Sequence, residues 1–212
     1  HVISMLYAGI MLYNGDGIEA NKDDGIKYIK MAREEDALGA QLFYDEKLKK
    51  GEITAEEKEK TLINLRRRIF KGDANAMFIF ANMLFRGDEI YKSVKDAIKY
   101  YKMAAEKGHI SSILKYGMML YNGIGIPQDK QNGIHFVRMA AEEGHVFAMD
   151  YYGHILLRGD GIKKNIPEAI KFIKMAADQG NLNSMNTFAV LLYEGNKIEI
   201  NKEEAVRYFR KA

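Results

Sequence analysis

The stretch Leu12-Tyr13-Asn14-Gly15-Asp16-Gly17 returns 108 residues later as Leu120-Tyr121-Asn122-Gly123-Ile124-Gly125. Because 108 is three times 36, the recurrence predicts a repeat of 36 residues, and the whole chain fits this period without a gap. One column of the repeat is always leucine: Leu12, Leu48, Leu84, Leu120, Leu156 and Leu192. Another is always glycine: Gly15, Gly51, Gly87, Gly123, Gly159 and Gly195. The sequence therefore predicts six copies of one unit, at residues 2–37, 38–73, 74–109, 110–145, 146–181 and 182–212.

Each repeat carries the pattern of two helices. Small and apolar residues in its first half recur every three to four positions, which is the period of an α-helix. The glycine column then ends this helix, because glycine adopts the left-handed backbone conformation at little cost. Three glycines inside the first helices are predicted to touch a neighbouring helix: Gly9, Gly117 and Gly153.

The second helix of each repeat has signals at both ends. Its start is marked by a capping residue with an acid three positions later: Asn21 and Asp24, Ser93 and Asp96, Asn165 and Glu168, Asn201 and Glu204. A second glycine column ends it: Gly72, Gly108, Gly144 and Gly180. His109 and His145 follow two of these glycines and are predicted to be turn residues. We therefore predict an all-α fold, a right-handed α-solenoid of six 36-residue helix-turn-helix repeats in a single array over residues 1–212.

The two glycine columns, an alanine pair in the second helix and the 36-residue period resemble the Sel-1-like repeat family, which is related to the tetratricopeptide repeats. The resemblance covers essentially the whole chain, and segments 97–108 and 112–125 carry it most fully. It implies a protein-binding scaffold or adaptor, as in endoplasmic-reticulum quality control and bacterial interactions with hosts. One branch of the family has a disulfide in each repeat and is linked to penicillin binding; this chain has no cysteine and lies outside that branch.

Repeat 2 departs from the pattern. Four of its residues replace the small, glycine or alanine residues of the other repeats: Asp45, Ile53, Arg68 and Ile69. A capping pair, Thr54 with Glu57, lies three positions before the usual one. We therefore predict that the second helix of repeat 2 is about one turn longer than its counterparts.

The composition of the chain gives no support for an enzyme. The 212 residues include no cysteine, which excludes thiolate catalysis and Cys-ligated metal sites. The five histidines show no zinc-ligand spacing, and the Gly-x-Gly pairs lack the strand and third glycine of a dinucleotide-binding loop. We therefore predict no catalytic, metal or cofactor site. The longest strongly apolar stretch, Phe188 to Tyr193, is too short for a transmembrane segment.

Charge is nearly balanced, with 32 Lys+Arg against 29 Asp+Glu. One column is basic in every repeat: Lys30, Arg66, Lys102, Arg138, Lys174 and Arg210. An acid four residues after most of these cations predicts ion pairs on the helix surface, which makes nucleic acid an unfavoured partner. Repeat 2 lacks such acids, and its cations form a predicted basic patch: Arg66, Arg67, Arg68 and Lys71.

The exposed columns of the first helix vary between repeats, whereas the rest of the unit is uniform. In tetratricopeptide-like folds this helix lines an inner groove. The variation is therefore a candidate source of selectivity for a partner. Simple exposure to solvent, with no binding role, explains the variation nearly as well. The predicted groove residues are Asn82, Arg86, Lys115, Asn122, Tyr151, His154 and Arg158.

The first functional hypothesis is a non-catalytic scaffold or adaptor that binds a protein or peptide through the concave groove. The alternative is a structural component of a large assembly that docks on an acidic surface through the basic patch. A cytoplasmic location is favoured, with the endoplasmic-reticulum lumen and secretion as alternatives. The first and last residues fall inside a repeat, so we expect an interior slice of a longer array.

Overall fold

A computed structural model describes residues 2–34, 40, 43–44, 46–47, 50–51, 55–87, 90, 92–195 and 198–212. These residues form eleven α-helices and no strand, which confirms the all-α prediction. The helices are α1 (Val2–Asn14), α2 (Lys22–Glu34), α3 (Ala55–Phe70), α4 (Ala74–Arg86), α5 (Val94–Glu106), α6 (Ile110–Asn122), α7 (Lys130–Glu142), α8 (Val146–Arg158), α9 (Ile166–Asp178), α10 (Leu182–Glu194) and α11 (Lys202–Lys211). Repeats 1, 3, 4, 5 and 6 each supply two of them, as the 36-residue period predicts.

The chain divides into two compact units, His1–Ala104 and Ala105–Ala212. In unit 1, α1 packs on α2, and α4 packs on both α2 and α3. A core of Tyr13, Ile26, Ile29, Ala32, Ala40 and Tyr44 lies in its first part. In unit 2 each of the helices α6 to α11 packs on the next one along the chain. Its core contains residues of every repeat from 4 to 6, because each amphipathic helix buries its apolar face against its neighbours.

The capping pairs form as predicted and fix where the second helices begin. At the start of α9 the side-chain oxygen of Asn165 accepts the backbone N–H of Glu168 (3.3 Å), and the Asn165 amide donates to the Glu168 carboxylate (2.7 Å). Asn21, Ser93 and Asn201 make the same backbone contact three residues on. Asp129 caps α7 in the same way, a cap that the sequence reasoning missed.

The two histidines expected in turns have a more specific structural role. His109 and His145 each accept a backbone N–H at the start of a first helix, through Nδ1, from Ser112 (3.2 Å) and Ala148 (3.4 Å). Asp73 caps α4 at the equivalent position of repeat 3. Burial lowers the pKa of the His145 imidazole, which favours the uncharged ring that can accept this hydrogen bond.

Glycine marks two different features of the fold. At the end of α6, Gly123 has a φ of 70° and its N–H donates to the Met119 carbonyl, so it terminates the helix as predicted. Inside α6, a Cβ on Gly117 would lie 2.8 Å from the Phe136 Cβ on α7, which confirms it as a contact glycine. Gly133 on α7 makes an even closer approach that the sequence reasoning did not identify, since a Cβ there would lie 2.5 Å from the Tyr121 backbone nitrogen.

The second helix of repeat 2 is longer, as predicted. α3 has 16 residues, whereas α2, α5, α7 and α9 have 13 each. The extra residues are at its N-terminal end. The capping residue Thr54, the side chain of Glu57, and the substitutions Asp45 and Ile53 lie outside the described residues.

Replacing Gly133 with alanine should destabilise unit 2. The added methyl group would press on the backbone of Tyr121, and α6 would have to move away from α7 to admit it. We expect Gly133→Ala to lower the free energy of unfolding by about 1–3 kcal/mol, the usual cost of overpacking. Urea denaturation followed by circular dichroism measures this change.

The matched control is His135→Ala, an exposed position on the same helix. It should change the free energy of unfolding by less than about 0.5 kcal/mol. Equal stability of Gly133→Ala and the unmodified chain would show that α6 and α7 do not need this close approach.

Candidate functional site

The predicted groove residues of unit 1 lie in α4 and have separate surroundings. Asn82 accepts a hydrogen bond from the buried Tyr101 hydroxyl (2.7 Å) and therefore satisfies a polar group of the core. Arg86 is exposed at the end of the helix.

In unit 2 the structure joins predicted groove residues of two successive repeats. The side-chain amide of Asn122, at the end of α6, donates to the Tyr151 hydroxyl on α8 (3.0 Å) and to the Met118 carbonyl (2.8 Å). The ring of Tyr151 meets the ring of Tyr121 edge-on, with centroids 5.8 Å apart. Tyr151 is thus held from two directions by the preceding repeat.

A second connection links α8 to α10. The Asn183 amide on α10 donates to both carboxylate oxygens of Asp150 (3.2 and 3.1 Å) and lies 3.4 Å from Nε2 of His154. That nitrogen is 3.5 Å from the Asp150 carboxylate. Together these contacts form a polar row, which we define as Asn122, Asp150, Tyr151, His154 and Asn183. It runs over the first helices of repeats 4, 5 and 6.

Asp150 is the residue of this row on which most contacts converge, and the sequence reasoning missed it. Its side chain is 16% exposed. The hydroxyl of Ser184 donates to it at 2.6 Å, and Ser184 is itself fully buried. Burial acts to raise the pKa of this carboxyl. Hydrogen bonds from His154, Ser184 and Asn183 outweigh burial, and the pKa of Asp150 lies below its usual value.

A signal for Asp150 was present in the repeat alignment. The equivalent residues of four other repeats are apolar: Leu6, Leu42, Phe78 and Leu114. Phe78 and Leu114 are buried. Repeat 6 carries the polar, exposed Asn186 at this position, so a charged residue occurs here only in repeat 5.

The other two predicted groove residues of unit 2 are cations beside the polar row. Lys115 on α6 is exposed, and its charge contributes to lowering the pKa of His145. Arg158 is exposed at the end of α8 and acts electrostatically on Asp160. Lys130 (2.5 Å) and Tyr121 (2.7 Å) donate hydrogen bonds to Asp160 and fasten the loop after α8 to repeat 4.

The four residues of the basic patch differ in their surroundings. Arg66, Arg67 and Lys71 are exposed and make no ion pair with any residue in the described ranges. Arg68 differs, since its Nε lies 2.8 Å from the carboxylate of Asp73, the cap of α4. It also lines a cavity of about 200 Å³ in unit 1, together with the side chains of Lys30, Arg33, Thr61, Asn64, Leu65, Ile79 and Met83.

Two of the predicted surface ion pairs are present on second helices, Glu142 with Arg138 (3.2 Å) and Asp178 with Lys174 (2.7 Å). A further pair on α5 joins Asp96 and Lys99 (3.0 Å). These pairs are exposed, so they neutralise charge more than they stabilise the fold. Among the residues described, no three acidic or histidine side chains meet as a metal site would require. None of the described helices combines the length and the apolar character needed to span a bilayer.

Removing the Ser184 hydroxyl should raise the pKa of Asp150. A carboxyl whose pKa is lowered by folding adds stability above its unfolded-state pKa, and this stability is lost as the pH falls through the folded-state pKa. Ser184→Ala should therefore cost about 1 kcal/mol near neutral pH, and the pH dependence of stability in acid should weaken. Carbon-13 NMR of the Asp150 carboxyl measures the pKa directly.

Ser112→Ala is the control for this experiment, because Ser112 is the buried serine at the same position two repeats earlier and contacts His109. It should leave the Asp150 titration unchanged. An unchanged Asp150 titration in Ser184→Ala would mean that the 2.6 Å hydrogen bond does not set this pKa.

The sequence pattern of the Sel1 repeat family matches residues 2–36, 74–109, 110–145, 146–181 and 189–212. Two internal segments are unmatched, 37–73 and 182–188. The first contains repeat 2, in agreement with its lost glycine and alanine positions. No curated protein sequence matches the chain.

Solved structures with the same fold come from several bacteria. A Sel1 repeat protein from Oxalobacter formigenes aligns with a TM-score of 0.72 and 23% identity, over 99% of this chain and 86% of its own. A protective antigen of uropathogenic Escherichia coli, which displays an SLR fold, aligns with a TM-score of 0.67 and 19% identity, over 99% of this chain and 45% of its own. An immunity protein from Pseudomonas aeruginosa aligns with a TM-score of 0.57 and 14% identity, over 99% and 79%.

The family pattern covers well over half of the chain, and the helical repeats, caps and glycine turns agree with it. Proteins with these repeats generally act as scaffolds for interactions between proteins. The chain belongs to the Sel1 repeat family.

Proposed function

We propose that this protein is a non-catalytic scaffold that binds a protein or peptide partner through the first-helix face of unit 2. The observation that carries the proposal is the polar row, in which side chains of α8 contact Asn122 of α6 on one side and Asn183 of α10 on the other. A partner that lies along this row would meet all three repeats at once.

The polar row and the adjacent Arg158 offer an aromatic ring and charges of both signs, which suit the recognition of a protein or peptide. Tyr151 offers a large ring that Asn122 and Tyr121 already hold in place, so that binding costs little side-chain entropy. Asp150 and Arg158 lie eight residues apart on α8, which corresponds to about 12 Å along the helix axis. An anion and a cation at a fixed separation favour a partner with complementary charges.

The same geometry argues against a hydrolytic role for the row. Ser184, His154 and Asp150 are the residue types of a catalytic triad, but the serine hydroxyl donates to the carboxylate and not to the imidazole. Ser184 is also fully buried. The hydroxyl therefore lacks the imidazole base of a catalytic triad and is not accessible to a substrate.

The double variant Tyr151→Ala/Arg158→Ala tests the proposed function. The probe is a degenerate library of short peptides passed over the immobilised chain. We expect the variant to retain at least about tenfold less peptide than the unmodified chain, because tyrosine and arginine dominate many interfaces. Crosslinks from retained peptides, mapped by mass spectrometry, should fall on α6, α8 and α10.

Tyr193→Ala is the matched control, since Tyr193 is an exposed aromatic residue of α10 outside the polar row. It should retain peptide like the unmodified chain. Equal retention by the double variant, with an unchanged circular dichroism spectrum, would contradict a binding role for this face.

A second candidate function rests on the basic patch. Arg66, Arg67 and Lys71 present three charges on α3 and just beyond it, with no ion-pair partner in the part of the chain that the structure describes. Such a cluster favours docking on an acidic surface of a larger assembly. Arg68 is already engaged by Asp73 and contributes less to this surface.

Reversing these three charges tests docking through the basic patch. We expect the unmodified chain to bind a polyglutamate-coated sensor in a salt-dependent way, and Arg66→Glu/Arg67→Glu/Lys71→Glu to lose this binding. The control is Lys27→Glu/Lys92→Glu/Lys95→Glu, which reverses three exposed lysines elsewhere in unit 1. Equal losses in both variants would show that net charge, and not the basic patch, is responsible.

A further inference from the structure

Asp150 is unusual for its position in the repeat. The equivalent side chains Phe78 and Leu114 are 2% and 5% exposed and belong to the core. A carboxylate at such a position loses hydration, and its desolvation opposes ionisation. Hydrogen bonds from His154, Ser184 and Asn183 outweigh this desolvation, so repeat 5 holds a charged side chain where repeats 3 and 4 bury an apolar one.

The hydrogen bonds around Asp150 keep its charge without cancelling it. Ser184 and Asn183 donate to the carboxylate but are uncharged, and His154 neutralises it only when the imidazole is protonated. Across the described residues, no lysine or arginine forms an ion pair with Asp150. The carboxylate is thus an ordered, partly exposed anion that still lacks a permanent countercharge.

An exposed aromatic ring lies on the same face of α8. Phe147 is one turn before Asp150 and Tyr151, and its side chain is 70% exposed. The equivalent positions in repeats 3, 4 and 6 carry the small polar residues Asn75, Ser111 and Asn183. An exposed ring three residues before an ordered carboxylate, on the same helix, therefore occurs in repeat 5 and not in these three repeats.

We propose that Asp150 and Phe147 form a subsite for a lysine or arginine side chain of the protein partner. The cationic end would meet the Asp150 carboxylate, and the aliphatic part would lie on the Phe147 ring. Long basic side chains combine these two needs, since they carry a charged head on an apolar stem. This inference rests on the proposed function, because it names the chemistry that the first-helix face selects.

Peptide selection tests this subsite. A degenerate library of short acetylated and amidated peptides is passed over the immobilised full chain, and the retained peptides are sequenced by mass spectrometry. We expect lysine and arginine to be enriched over the input library. Asp150→Asn, which keeps the shape of the side chain and removes its charge, should lower this enrichment by about tenfold.

Two further variants separate binding from folding and from net charge. Phe147→Ser introduces the residue found at this position in repeat 4, should fold normally, and should also weaken the enrichment. Glu143→Gln removes one negative charge from an exposed position at the end of α7 and should leave it unchanged. Circular dichroism and thermal melting verify that each variant is folded.

The possible outcomes distinguish the two proposals. Peptides retained through Tyr151 and Arg158 without enrichment of basic residues would overturn the subsite and leave the proposed function standing. Enrichment that persists unchanged in either Asp150→Asn or Phe147→Ser would also overturn it. Retention no greater than that of bare resin would contradict the subsite and the proposed function together. Enrichment lost in Asp150→Asn, weakened in Phe147→Ser and kept in Glu143→Gln would establish it.

Discussion

The close approach of the two helices of a repeat, present in repeats 1, 4 and 5, is the constraint on which the rest of the structure depends. At the crossing of α6 and α7, Gly117 and Gly133 leave room for the backbone of one helix to lie against the other. At the position of Gly133, repeats 3, 5 and 6 carry Ala97, Ala169 and Ala205, all fully buried. Only the smallest side chains fit here, because anything larger would push the two helices apart and open the core.

This constraint divides the surface of the repeat into parts that can vary and parts that cannot. The caps and glycine turns fix the length of each helix, and the crossing fixes its partner. What remains free is the outer part of the first helix, and there the repeats differ. In unit 2 the differing side chains of α8 contact both neighbouring first helices, through Asn122 on α6 and Asn183 on α10.

The two departures from the repeat pattern have different physical consequences. In repeat 5 the departure is a single carboxylate, Asp150, whose desolvation is offset by hydrogen bonds from the next repeat. In repeat 2 several positions have changed, α3 has become longer, and Arg68 takes the place of a small alanine and reaches Asp73. The single change in repeat 5 alters the chemistry of the surface. The loss of small residues in repeat 2 is accompanied by a longer helix and a new ion pair.

The sequence by itself determined the period, the helix pattern, four of the second-helix caps and the family, because these depend on short-range patterns of backbone conformation and hydrophobicity. It also predicted the longer helix of repeat 2 and the contact glycine Gly117. Only the tertiary structure decided which exposed residues act together. Asn82 accepts a hydrogen bond from the buried Tyr101. Arg68 forms an ion pair with Asp73 and is therefore less available to the basic patch. Asp150 is contacted by side chains of both α8 and α10. These outcomes depend on which individual side chains meet in the folded chain, which a pattern of residue types repeated every 36 positions does not specify.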